Sequence, residues 1–386
     1  MARHREDDDP GLPIKLGPCS NGEYLPRPLS PVVAEAVRRA RDECDTNARR
    51  TGVSRRRFLL SICGAATTLL ALNACSEEEA RRRRRKPGGT YEIPTTATTD
   101  PDAAREALAG NEFVFDVQGH FLEYRVNPAT SSARTFWDNF PQQGCGESDP
   151  RDCFSINHFM EEVFLKSDTS MVVLSALPIA VEGSPMSAEL MDETRRVALG
   201  LCRDERVLLH AQALPNVGDP AAALDAMSAT ASAYPIVAWK VFTNYPDLYD
   251  GSNNAWRLDD GDPSLPLVGE AFIQRAVELG IPTICGHKGF APARNNAYAS
   301  PADLGPAAAR HRDVRFVAYH SGYEPDLVEV PYDDAHRDVG TNRLIATMLD
   351  NGIGPNQNIY AELGSTWWSL LGAPDQAAHV LGKLLR

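Results

Sequence analysis

The 386-residue sequence contains no G-x-S-x-G turn, which argues against the common serine-hydrolase elbow. No glycine-rich turn of the dinucleotide type follows the first strand-like run, and that loop carries histidine and aromatics instead. Positive charge is scarce in the body: residues 87–386 hold 21 Lys and Arg against 40 Asp and Glu, a formal charge of −19. Such a field repels a phosphate backbone, so nucleic acid is not an expected partner, whereas a small neutral substrate or a metal cation remains compatible. Histidine is also sparse, at nine in the chain, so where it falls matters.

Long apolar runs are missing too. The most apolar stretch, "SICGAATTLLALNAC" to Cys75, spans about fifteen residues, too short for an ordinary membrane-spanning helix. It follows "SRRRFLL" at 54–60, an order that suits an export signal. Residues 76–109 open on "SEEEARRRRRKPGG", with six consecutive cations from Arg81 to Lys86, and read as a low-complexity tether. Of eight cysteines, Cys145 and Cys153 flank a Gly, Pro and Asp-rich loop that suits a disulfide in an oxidising compartment.

From residue 110 two textures alternate. Seven short apolar runs, at 113–118, 171–177, 206–214, 236–242, 281–287, 314–320 and 358–363, are separated by helix-like segments, and a last helix is expected over 374–386. Asp219 before Pro220 reads as a helix start, and Gly280 before Pro282 as a helix end. The pattern predicts parallel strands with helices outside, a (β/α)8 TIM-barrel-like domain over 110–386 that lacks an eighth strand, with a doubly wound sheet as the alternative. An unclosed barrel would expose two edges, so a C-terminally truncated domain is expected, against a degenerate or differently closed one.

Loops at the strand carboxyl ends build the site in such a barrel. Gln118 and His120 follow the first run, His287 the fifth and His320 the sixth. Three histidines at equivalent ends predict one divalent ion, zinc first and manganese or iron next, held by His120 and His287 with Gln118 a weak amide ligand. Asp116 is expected to orient a ligand histidine. Lys240, closing the fourth run, is expected to meet substrate or an acid. Trp239, Tyr323, Trp367 and Trp368 are expected to wall the substrate pocket, with Phe242, Tyr245 and Tyr319 as further aromatics near strand ends.

Two resemblances add to this reading. Ser54, Arg55, Arg56, Phe58 and Leu59 resemble a twin-arginine leader, with Leu60 where lysine is usual, and "LNAC" resembles a lipoprotein box that would acylate Cys75. They imply the twin-arginine export machinery as a partner, a leader over residues 1–75, and a periplasmic or lipid-anchored product. The set "FDVQGH", "AWKVF", "GHKG" and "AYHSG" resembles the amidohydrolase-related family, including its nonoxidative decarboxylases of aromatic acids. That resemblance implies His120 and His287 as metal ligands and His320 as a polarising or acid/base residue. Gln118 stands where a ligand histidine is expected. The family's strand-eight aspartate has no counterpart, and Glu362, at the seventh strand's end, does not simply replace it.

The expected activity is therefore a metal-dependent hydrolase of a small ester, lactone or amide, with His320 and Lys240 as catalytic groups. The alternatives are a nonoxidative decarboxylase and an exported, non-catalytic binding protein. The sequence leaves oligomeric state open, a dimer included.

Overall fold

In a computed structural model of the chain, the described residues are 10–14, 16, 28–85, 91–108, 113–123, 145, 147–177, 184–244, 255–290 and 297–385. Tyr245 lies outside them. Seven strands form one sheet: β1 (Val114–Gly119), β2 (Thr169–Ser175), β3 (Val207–Gln212), β4 (Ile236–Val241), β5 (Thr283–His287), β6 (Arg315–Tyr319) and β7 (Ile359–Ala361). Their spatial order is their chain order, and every pairing is parallel. Consecutive parallel pairing requires a crossover after each strand, supplied by helices such as Ala188–Cys202, Pro220–Ala233, Gly269–Glu278 and Asn342–Asp350.

The sheet curls. A flat sheet would hold β1 and β6 about 24 Å apart, five strand spacings. Instead the Tyr319 hydroxyl of β6 donates to the Val117 carbonyl of β1 at 2.9 Å, across the interior. Alternation along the strands separates two cores. Trp239, Val241, Ile284, Phe316 and Leu209 pack outward in the main core shared with the helices. Ala238, Cys285 and Tyr319 form a small inner cluster with Val317. The fold is thus an α/β, TIM-barrel-like curl of seven parallel strands. β1 and β7 are its edges, and among the described residues no eighth strand lies between them.

Local chemistry sets the element ends. The Asp219 side chain accepts the Ala221 N–H ahead of Pro220, and Gly280 closes its helix at φ +71°. Cys145 and Cys153 are joined, with Cα atoms 5.9 Å apart. Nearby, the Phe154 carbonyl receives the Leu122 N–H at 2.7 Å, tying this loop to the chain leaving β1.

The residues expected as preamble, leader and tether contain more structure than their composition suggests. Pro31–Thr51 and Ile62–Arg82 form an antiparallel helical pair. Ala36, Ala40, Cys44 and Ala48 recur every four residues, a small-residue stripe that lets the helices approach closely, and all four are buried. Phe58 and Leu59 are buried beside this pair, and Cys63, Leu72 and Cys75 are buried within its second helix. Arg39 clasps Glu78 by two bonds of 2.7 Å, and Arg55 meets Asp45 at 2.6 Å. The tether expected from residue 76 is instead helical to Arg82, and Pro101–Leu108 forms a further helix. Glu77 and Glu79 pair with Arg81, Arg82 and Arg83 one turn on, offsetting the repulsion within the arginine run. Among the described residues no helix is long and apolar enough to cross a membrane.

Candidate functional site

The exits of β1, β5, β6 and β7 meet at one end of the curl. At β6 the backbone departs sharply from strand geometry: His320, Ser321 and Gly322 take φ of +65°, +54° and +74°. Two consecutive non-glycine residues in the left-handed region are costly, about 1 kcal/mol or more each, and such strain gathers at functional sites. The turn is held by the Ser321 hydroxyl donating to the Glu362 carbonyl at 2.6 Å and the Thr366 hydroxyl donating to the His320 carbonyl at 3.0 Å. Its effect is to bring His320, directly after the inward Tyr319, to the same mouth.

There His320 is fully buried. Its backbone N–H donates to Glu362 Oε2 at 3.0 Å, and the same oxygen lies 3.9 Å from its Nδ1. Its Nε2 faces the Gln118 amide nitrogen at 3.5 Å. The His287 ring stands edge-on to His320 with centroids 4.8 Å apart, and Phe290 flanks His320 at 5.1 Å. Gly364, at φ +29°, turns the chain beyond β7, and a side chain there would strike both Glu362 and Gln118. Glycine is therefore required for these two polar groups to converge. The floor beside His287 is braced by Lys288, fully buried, whose ammonium meets Asp303 at 2.6 Å and the Thr243 hydroxyl at 2.7 Å.

Deeper in the curl, Lys240 is also fully buried, its ammonium 3.9 Å from the Tyr319 ring centroid and 4.7 Å from that of Phe242. Aromatic faces stabilise a desolvated cation in this geometry. His210 on β3 bonds the Tyr319 hydroxyl through Nδ1 at 2.8 Å. Burial, and then the Lys240 charge, push the His210 imidazole down to about 3, so it is neutral at ordinary pH. As Tyr319 donates to Val117, the neutral His210 carries its proton on Nδ1. Burial also pushes the Cys285 thiol up to about 12, leaving it an inert interior group.

The expected residues therefore divide. His287, His320 and Gln118 come together, joined by Glu362. His120 is anchored through Nδ1 to the Ser175 carbonyl of β2 at 2.5 Å, which fixes the orientation of its ring. Asp116 was expected to orient a histidine, but its carboxylate accepts the Gln118 N–H at 2.9 Å from the exposed part of β1. Trp239 is corrected outright, since its neighbour Lys240 points inward and period two sends the indole into the helix-facing core. Trp367 and Trp368 sit on a helix, Gly364–Leu370, that the sequence reading did not anticipate. Trp367 is exposed, while Trp368 and Tyr323 line a rim cavity.

Of the donors expected for a divalent ion, His120 and His287 each keep one ring nitrogen against a backbone carbonyl, and Gln118 lies beside His320. Among the described residues no three His, Cys, Asp or Glu side chains converge as ligands of one ion. Instead His287 Nε2 faces the Phe290 carbonyl at 3.4 Å and His320 Nε2 the Gln118 amide. Two contributors were missed by sequence reasoning. Glu362 was set aside because its strand differs from that of the expected aspartate. His210 was passed over because it lies inside its run, although its inward parity was legible.

No family model and no curated protein matches the chain. Among solved structures, an uncharacterized TIM-barrel protein from Bordetella bronchiseptica is similar at a TM-score of 0.41 and 14% identity, over 69% of this chain and 81% of that one. A 2,6-dihydroxybenzoate decarboxylase from Rhizobium is similar at 0.32 and 14%, over 70% and 99%. Likeness this distant carries no argument about activity; the strand order and the inward bond from Tyr319 to Val117 are what make this chain a TIM-barrel-like α/β protein.

Proposed function

We propose that the chain is an enzyme of the amidohydrolase-like type, acting on a small organic substrate with His320 and Glu362 as its proton-handling pair. The observation that carries this reading is the buried Glu362 carboxylate held against both the backbone N–H and the imidazole of His320, on a strained turn. A carboxylate beside an imidazole in a desolvated site is suited to general acid–base work.

In the hydrolytic reading, Glu362 takes a proton from water as the water oxygen bonds to the substrate's carbonyl carbon. The Gln118 amide N–H donates to the oxyanion that develops. The bond to the leaving group then breaks, and the proton passes through His320 to that group. Each of these steps uses the chain's own side chains. The decarboxylase reading is favoured by a different observation, the Lys240 ammonium between two aromatic rings, a fixed cation for a substrate carboxylate.

The test is an assay of the full chain against esters, lactones, amides and hydroxybenzoates, with bound metal measured after incubation with zinc or manganese. We expect turnover that Glu362→Gln removes. Stoichiometric metal with turnover that requires it would assign the water's activation to an ion at His120 and His287, the expected ligands, and its absence would leave it to Glu362. No turnover of any substrate, with Glu362→Gln binding ligand as the parent does, would favour the binding-protein reading. Export and acylation at Cys75 stand as a proposal on the leader resemblance. Intact-mass analysis after expression in a twin-arginine-competent host should find a chain beginning at Cys75 with added acyl mass, and an unprocessed cytoplasmic chain would reject it.

A further inference from the structure

The left-handed turn at His320 is held by its neighbours rather than by its own preference. Three of its amides are bonded: His320 N–H to Glu362 Oε2 at 3.0 Å, Gly322 N–H to the Lys288 carbonyl at 2.8 Å and Tyr323 N–H to the His320 carbonyl at 2.9 Å. The His320 carbonyl also accepts the Thr366 hydroxyl at 3.0 Å. Non-glycine residues at φ of +65° and +54° stay there only while surrounding contacts enforce it. Thr366 lies on the helix Gly364–Leu370, so whatever seats that helix also holds the turn.

The two sides of this helix meet different partners. Thr366 and Leu370, one turn apart, are buried on the barrel side, where Leu370 packs with Phe290, Tyr323 and Val380. Leu371, just past the helix end, instead packs against the cluster of Ala36, Leu72 and Cys75 in the helical pair, with Val32 and Val33 beside it. The closest approach is at Gly372, where a Cβ would stand 2.7 Å from Val33 Cγ2 and 3.7 Å from Ser30 Oγ. Gly372 is not in the left-handed region, so glycine serves there as space for Val33 and not as backbone freedom. Ser30 caps the helix Pro31–Thr51 by accepting the Val33 N–H, so the start of the helical pair stands on Gly372. We infer that the N-terminal helical pair is a positioning clamp for the proposed acid–base pair. Seated on Leu371 and Gly372, it keeps the helix Gly364–Leu370 against the barrel, and Thr366 holds the His320 carbonyl. Unseated, it frees that helix, the turn relaxes and His320 leaves Glu362. Thr366 is the positioning residue, and the contact of Val33 with Gly372 controls it. A cut before Cys75 would remove Val33 with the whole of Pro31–Thr51, so processing of the chain would release the turn. The consequence for turnover rests on the proposed function; the coupling of the turn to the helical pair does not.

The test moves the seat and watches the turn, in the full chain and without substrate. Gly372→Ala sets a methyl against Val33 and should unseat the helical pair; Val33→Ala added to it makes room and should reseat the pair. Hydrogen exchange mapped by peptide mass follows the amides of residues 319–323, and alkylation of Cys75, buried against Leu371 in the seated form, follows the seat. In Gly372→Ala we expect exchange in the turn about tenfold faster than in wild type, with Cys75 alkylation also raised and exchange in β2 to β4 unchanged. The double variant should return both toward wild type. Thr366→Val keeps the shape without the hydroxyl, so it should speed exchange in the turn with Cys75 still shielded, and Thr366→Ser should restore protection. Raised alkylation in Gly372→Ala with an unchanged turn would overturn the clamp, because the pair would then leave without the turn responding. Unchanged alkylation would overturn the seat at Val33, and fast exchange throughout the barrel that Val33→Ala does not recover would mean a lost fold and overturn it equally. If seat and turn respond as expected while no form turns over any substrate, the clamp stands and the catalytic reading falls.

Discussion

At the scale of single residues, the site depends on positions whose backbone is as constrained as their side chains. Glu362→Gln keeps the shape and the bond from His320 N–H but removes the base, so activity should fall by about 10²- to 10⁴-fold while the melting temperature changes little. Gly364→Ala tests the convergence: a side chain at φ +29° collides with Glu362 and Gln118, so both stability and turnover should fall, the former by about 1 kcal/mol or more. An unchanged rate would show that Glu362 and Gln118 need not meet. His210 supplies a pH test. Its folded value of about 3 lies below the ordinary 6.5, so between these values the unfolded chain binds a proton that the folded chain refuses. Its contribution is complete above about pH 6.5 and is lost as pH falls toward 3. Urea midpoints should therefore drop between pH 7 and 4.5, and His210→Gln should flatten that dependence.

At the scale of elements, the strands were legible because parity and apolar runs announce them. The helix Gly364–Leu370 was not, since its glycine start and paired tryptophans read as a strand-end loop. Its neighbour Pro374–Leu384 is fastened by one buried network. Lys383 donates to Glu329 at 2.5 Å and to Asn342 at 2.7 Å, while Glu329 also accepts the Thr341 N–H and hydroxyl at 2.8 Å each. Lys383→Met leaves the Glu329 charge buried without its cation, so it should cost about 3–5 kcal/mol in urea unfolding. The double variant with Glu329→Leu should recover part of that loss, and no recovery would mean that the pair is not the fastening.

At the scale of the whole molecule, the curl ends on two edges with exposed apolar residues. Phe113 is 67% exposed on the β1 side and Tyr360 46% exposed on the β7 side. Unpaired strand edges that carry apolar side chains recruit other chains. Light scattering should show the mass rising with concentration, and Lys in place of Tyr360 and of Phe115, a β1 residue that is also exposed, should suppress the rise. A constant monomer mass at high concentration would contradict this.

The sequence by itself determined the strand count and order of texture, the ends of several helices and the convergence of His287 and His320, because these follow from local periodicity and short-range capping. It also carried the small-residue stripe of Pro31–Thr51, although the acidic and basic residues around it masked the pattern. Only the tertiary structure decided that β1 reaches across to β6, that Glu362 joins the group around His320, and that Trp239 belongs to the outer core. The physical reason is that sheet curvature and backbone sign are collective. One left-handed turn at His320 and one glycine at 364 set which side chains share a volume, and no spacing in the chain encodes that distance.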